Sequence, residues 1–95
     1  MLTLVEIKEA VGEVIDKYPI KKISLFGSYA EGTATENSDV DMFVEFLSPY
    51  VSLFMINSIK DDIESKLNKN IDLIHGPLDA KAFIKTDKVV DVYEQ

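Results

Sequence analysis

Between residues 23 and 46 the chain spells out a strand, a glycine turn, a polar segment and a second strand, and that order restricts the fold more than anything else in it. Ile23 to Phe26 is apolar, Gly27-Ser28 follows at once, and Asp39-Val40-Asp41 opens the second apolar run, which ends at Phe46. A glycine turn leading into a helix start can hold phosphate on backbone N–H groups. Two aspartates at i and i+2 of a strand share one face and can hold Mg²⁺. Phosphate beside Mg²⁺ points to nucleotide chemistry.

The flanks supply the rest of an α/β domain. Thr3 and Glu6 form a capping box, with Leu2 and Ile7 placed for the accompanying hydrophobic staple. Leu4, Ile7, Val11, Val14 and Ile15 then recur at helical spacing, which predicts a helix from Leu4 to Lys17 that stops at Tyr18-Pro19. Lys22 to Phe26 is the first strand, Tyr29 to Gly32 a short helical turn, and Thr33 to Ser38 a polar loop. Asp39 to Phe46 is the second strand, with Val40, Met42, Val44 and Phe46 on one face. Asp39, Asp41, Phe43 and Glu45 take the other, and Phe43 is expected in the core beneath the helix that follows. Ser48-Pro49 reads as the N-cap and first position of that helix, which runs through Phe54, Ile56, Ile59, Ile63 and Leu67 to Asn68. Asn70 to Ile74 is a third strand. Gly76-Pro77 breaks it, Asp79 to Lys85 is a short helix, and Val89 to Tyr93 is a closing strand or extended tail. The expected architecture is one domain, residues 1–95, with a small mixed sheet and helices packed mainly on one face.

Asp72 adds the third carboxylate. It interrupts an apolar strand, Ile71-Asp72-Leu73-Ile74, where an aspartate is costly unless paired or metal-bound. If the third strand lies beside the second, Asp39, Asp41 and Asp72 converge and can serve two Mg²⁺ ions about 3.5–4 Å apart, the geometry of in-line displacement at phosphorus. Each piece has a plainer reading. Asp39 can close a turn with Asn37 and Ser38, Gly27-Ser28 can be an ordinary strand-to-helix turn, and Asp72 can pair with Lys22 or Lys69. The joint order of all the pieces favours the site. His75, the sole histidine, reads as a surface loop residue, with a metal or proton role as the alternative. Tyr29 either stacks on a base or packs under the turn.

Composition narrows the partners. The formal net charge is −7 and all ten cationic side chains are lysine. That field repels nucleic-acid backbones and anionic membranes, and the residue best suited to bidentate phosphate contacts is absent. Free nucleic acid is therefore excluded as a partner, and a small nucleotide with its own Mg²⁺, or a basic protein, is favoured. The chain has no cysteine, which rules out disulfides and thiolate sites and fits a cytoplasmic protein. The N-terminus lacks the pattern of a signal peptide and no run is long enough to span a bilayer. Tyr50, Phe54 and Met55 cluster at the start of the long helix, an apolar surface suited to a protein partner.

Gly27-Ser28, ten residues, then Asp39-Val40-Asp41, with the later strand aspartate Asp72, resembles the signature of the DNA polymerase β-like nucleotidyltransferase superfamily. The small size and the helix before the motif are similar to its minimal nucleotidyltransferases, which are encoded beside a HEPN-domain partner. The resemblance covers nearly the whole chain, from the first helix to Tyr93. It implies that Gly27 and Ser28 hold the β- and γ-phosphates of ATP and that Asp39 and Asp41 ligate two Mg²⁺ ions. Asp72 would complete the metal site and help deprotonate the attacking hydroxyl. It further implies an antitoxin that transfers AMP to a tyrosine hydroxyl of a HEPN toxin, alone or in an oligomer. The family often carries arginine directly after Gly-Ser or two residues later, where this chain has Tyr29 and Glu31. Two other readings stay open: an antitoxin that works by binding alone, and a small-molecule nucleotidyltransferase of the aminoglycoside type.

Overall fold

The computed structural model describes residues 2–75 and 89–94. The chain runs α1 (Leu4–Val14), a 3₁₀ turn (Ile15–Lys17), β1 (Ile20–Phe26), α2 (Ser28–Glu31), β2 (Val40–Phe46), α3 (Leu53–Leu67), β3 (Ile71–His75) and β4 (Val90–Glu94). The expected helix of residues 79–85 lies outside the described residues. Four strands form one mixed sheet in the order β3-β2-β1-β4. β1 is antiparallel to both β2 and β4, whereas β2 and β3 are parallel. A parallel pair needs a crossover, and α3 provides it.

Local chemistry accounts for the element ends. The Thr3 hydroxyl accepts the Glu6 N–H while the Glu6 carboxylate accepts the Thr3 N–H, completing the predicted capping box. α1 tightens to 3₁₀ and stops at Tyr18, whose extended backbone suits a residue before proline. α3 ends at Asn68 in the left-handed region, φ 52°, its N–H bonded to the Glu64 carbonyl.

The start of α3 differs from the sequence expectation. The cap is Ser52, whose hydroxyl accepts the Met55 N–H at 3.1 Å, and not Ser48. The Leu47 N–H is still tied to the Pro19 carbonyl at 2.9 Å, so the chain has not yet left the sheet at Ser48-Pro49. It needs the next few residues to climb from the sheet layer to the helix layer, and Ser48 instead accepts the Tyr50 N–H within that corner.

Both long helices cover one face of the sheet. Ile7, Ala10, Val11 and Val14 of α1 and Ile59, Ile63 and Leu67 of α3 pack with Ile23, Leu25, Val40, Met42, Val44 and Ile71. Burying such side chains yields roughly 1.5–3 kcal/mol each before the entropy of ordering them is set against it. Phe43 is buried, yet it stands outside that cluster, contrary to the expectation that it lies beneath α3. Strand alternation sends it to the opposite face, in register with Ser24 and Ile74. One step along the same face is the row Phe26–Asp41–Asp72. The helices are thus the support, and the face they leave free carries the charges.

Candidate active site

The parallel pairing of β2 and β3 sets two of the three aspartates side by side. Asp41 and Asp72 are register partners, so their Cα atoms lie on neighbouring strands about 5 Å apart and their side chains leave the sheet on the same side. Asp39 sits two residues earlier, just ahead of β2, and is exposed. Asp41 is half-buried between the two. Its carboxyl is raised above the ordinary aspartate range, first by burial, then by the negative charge of Asp72, then by that of Asp39. Asp41 therefore feels the charge of both neighbours.

The glycine turn touches the same point. Gly27 has φ 72° and ψ −152°, a region open essentially to glycine alone. A Cβ there would collide with Oδ2 of Asp41 and stand 3.2 Å from its Cγ. Glycine is required twice over, for the backbone angle and for the approach of the Asp41 side chain. The turn then closes α2: the Gly27 carbonyl accepts the Ala30 and Glu31 N–H groups at 3.1 and 3.0 Å. Ser28, the first residue of α2, follows Gly27 directly.

Among the described residues, no group of three or more His, Cys, Asp or Glu side chains is drawn together tightly enough to enclose a metal ion unaided. Mg²⁺ keeps waters and is commonly held by one or two carboxylates together with substrate phosphates. The donor set fits the ion in kind: hard carboxylate oxygens, with the Gly27 turn packed against one of them. Burial is the first cause of the raised Asp41, and a divalent cation would offset the charges of Asp72 and Asp39 that add to it.

Other expected participants fall elsewhere. His75 pairs with Val44, three residues beyond the Asp41–Asp72 row, and its ring lies edge-on to Phe46 at 6.4 Å. It is the surface residue of the plainer reading. Tyr29 packs against the core under the turn, its hydroxyl buried and, among the described residues, without a hydrogen-bond partner. Lys22 is paired with Asp91 at 3.4 Å, and the buried Ser24 donates to the same carboxylate at 2.8 Å. Neither Lys22 nor Lys69, which reaches the Glu36 carbonyl, pairs with Asp72. Lys69 and Glu64 make bonds that the sequence does not announce: Lys69 reaches the Glu36 carbonyl and Glu64 accepts the Ile71 N–H. Lys69 stands in the turn just before Ile71-Asp72 and Glu64 near the end of α3, and their nearness to Asp72 along the chain is the one signal for either.

A mixed α/β sheet with a glycine turn against one strand aspartate, and a second aspartate in register beside it, defines the nucleotidyltransferase class of site. Residues 7–94 match the nucleotidyltransferase domain family, and the chain belongs to that family. It is 41% identical over 80 residues, 78% of this chain and 90% of the other, to MJ1215 of Methanocaldococcus jannaschii, provisionally named a protein adenylyltransferase. Solved structures share the fold. A toxin–antitoxin complex with AMP-PNP superposes with a TM-score of 0.76 at 18% identity, covering 93% of this chain and 73% of the other. A complex of the tri-AMPylated Shewanella oneidensis HEPN toxin with MNT antitoxin gives 0.71 at 13% identity, covering 98% and 74%.

Proposed function

We propose that the protein transfers AMP from ATP to a hydroxyl, a tyrosine hydroxyl in particular, of a HEPN-type toxin and so acts as its antitoxin. The carrying observation is the in-register pair Asp41–Asp72, with Asp39 and Gly27 against it. The names of the relative and of the two complexes support the choice of substrate and acceptor. Asp39, Asp41 and Asp72 would hold Mg²⁺, which neutralises charge on the transferring phosphoryl group when bound. Gly27 and Ser28 would cradle the β- and γ-phosphates and fix the α-phosphate in front of the carboxylates. Asp72 would accept the proton of the acceptor hydroxyl as its oxygen attacks the α-phosphorus and pyrophosphate departs.

The acceptor protein needs a place to dock. Tyr50, Leu53 and Phe54 are 88%, 75% and 86% exposed, with Leu47 beside them at 55%. Exposed aromatic clusters of this kind mark protein contacts. The net charge of −7 disfavours a second copy as occupant and suits a basic toxin.

The test incubates the chain with α-labelled ATP, Mg²⁺ and the HEPN protein encoded beside it. Label should enter the partner, and Asp41→Asn should prevent it. Protection from the toxin that persists without ATP, and in an Asp39/Asp41 double variant, would establish the binding-only antitoxin instead.

A further inference from the structure

Of the three carboxylates, Asp39 alone lies outside a strand. Asp41 and Asp72 are held by the sheet ladder, and Asp41 also by Gly27. Asp39 is exposed, so its position depends on the backbone on either side, Ser38 before it and Val40 after it. Both sides lead to the same support.

That support is the turn between α3 and β3, which is itself braced. The Asn68 N–H donates to the Glu64 carbonyl at 2.7 Å, and the Ile71 N–H donates to Oε2 of Glu64 at 2.8 Å. One glutamate therefore closes both ends of the turn. Two bonds then cross to the segment ahead of β2. The Val40 N–H donates to the Asn70 carbonyl at 3.1 Å, and Nζ of Lys69 donates to the Glu36 carbonyl at 2.7 Å. The segment they grip is already compact. The Thr35 N–H donates to the Ser38 hydroxyl at 2.9 Å, the Ser38 N–H to the Thr35 carbonyl at 3.0 Å, and the Asn37 N–H to the Thr35 hydroxyl at 3.3 Å. It is held at Glu36 and at Val40, and Asp39 lies between those two points.

We propose that Lys69 is a positioning residue: its ammonium clamps the 35–38 turn to the α3–β3 turn and so sets Asp39 beside the Asp41–Asp72 row. The inference rests on the reading of these carboxylates as the metal site. A charge-assisted bond from lysine to a carbonyl is stronger than a neutral one, and among the described residues Lys69 is the side chain that hydrogen-bonds to this turn from outside it. The same braced turn leads directly into Ile71-Asp72, so Glu64 and Lys69 together register the two outer carboxylates to one frame.

The experiment compares wild type, Lys69→Met and Lys69→Arg. Methionine keeps an apolar stem and removes the donor, and arginine restores a donor. Mn²⁺ affinity is measured from metal-dependent thermal stabilisation with a non-hydrolysable ATP analogue present. Amide exchange is followed at residues 36–40 without metal. Lys69→Met should weaken Mn²⁺ about 10-fold, as loss of a supporting contact does. It should also speed exchange at Val40 and leave the metal-free Tm nearly unchanged, and Lys69→Arg should recover both readouts. Wild-type Mn²⁺ affinity and exchange in Lys69→Met would overturn the clamp, as would a Lys69→Arg variant as defective as Lys69→Met. A wild-type chain that binds no Mn²⁺ strikes the reading of the site, whereas the exchange arm still decides the clamp.

Discussion

The two ends of β2 have opposite chemistry. At its start, Asp39, Asp41 and Asp72 gather on one face against a glycine turn. Beyond its end, Leu47, Tyr50, Leu53 and Phe54 stand in solvent, and residues 47–59 contain no charged side chain in a chain that is 28% charged. Each end is unfavourable for the isolated fold, the first through repulsion among carboxylates and the second through exposed apolar area. The repulsion would be relieved by a small cation and the apolar area by a large surface. Under the proposed function, that contrast separates where chemistry is placed from where a partner is held. Seven residues of strand, about 23 Å at 3.3 Å per residue, lie between them.

The largest effect should come from the charged end. Asp41→Asn should lower AMP transfer by at least about 100-fold, measured with α-labelled ATP. It should also raise the metal-free Tm and abolish stabilisation by Mn²⁺. A variant that loses Tm without metal would show that Asp41 has a structural role the comparison misses.

The pH dependence of the wild type follows from the same carboxyl. Asp41 is raised in the folded state, so its contribution to metal-free stability is fully present below the ordinary aspartate range. That contribution is lost as pH rises through the raised value. Metal-bound protein should behave oppositely, because the ligands must be deprotonated. Melting curves with and without Mn²⁺ between acidic and neutral pH should therefore diverge as pH rises.

Gly27→Ala should cost roughly 1–3 kcal/mol in denaturant unfolding and displace Asp41, weakening Mn²⁺ binding with it. At the apolar end the pattern should invert. Tyr50→Ser with Phe54→Ser should change stability by no more than about 0.5 kcal/mol. The same pair should weaken binding to the HEPN partner by about 2 kcal/mol in calorimetry. If instead it unfolds the chain, those rings belong to the core. The smallest effect is expected at Asn68→Gly. Glycine adopts the left-handed angle freely and should add up to about 1 kcal/mol, with Mn²⁺ affinity unchanged.

Much of this molecule can be read along the chain because the governing interactions are local. The Thr3–Glu6 box, the periodic faces of α1 and α3, the stop at Pro19 and the Gly27-Ser28 turn involve neighbours within a few residues. The misreading of Ser48 for Ser52 shows where that ends. Both are competent caps, and the choice between them was made by a bond from Leu47 to Pro19, 28 positions away. Phe43 fails for the same reason: alternation assigns it a face, but only packing says which face the helices cover.

The amino-acid order by itself determined the strand–turn–strand frame, the three aspartates and the absence of arginine, because composition and period-2 or period-3.6 patterning are properties of the chain alone. Tertiary structure decided that β3 lies parallel beside β2 in the register that sets Asp72 against Asp41. It also laid the Asp41 carboxylate on the α-carbon of Gly27 and brought Lys69 to the turn ahead of Asp39. Register, close approach and long-range clamping depend on how layers pack, and residues 14 to 33 positions apart have no local interaction that could specify them.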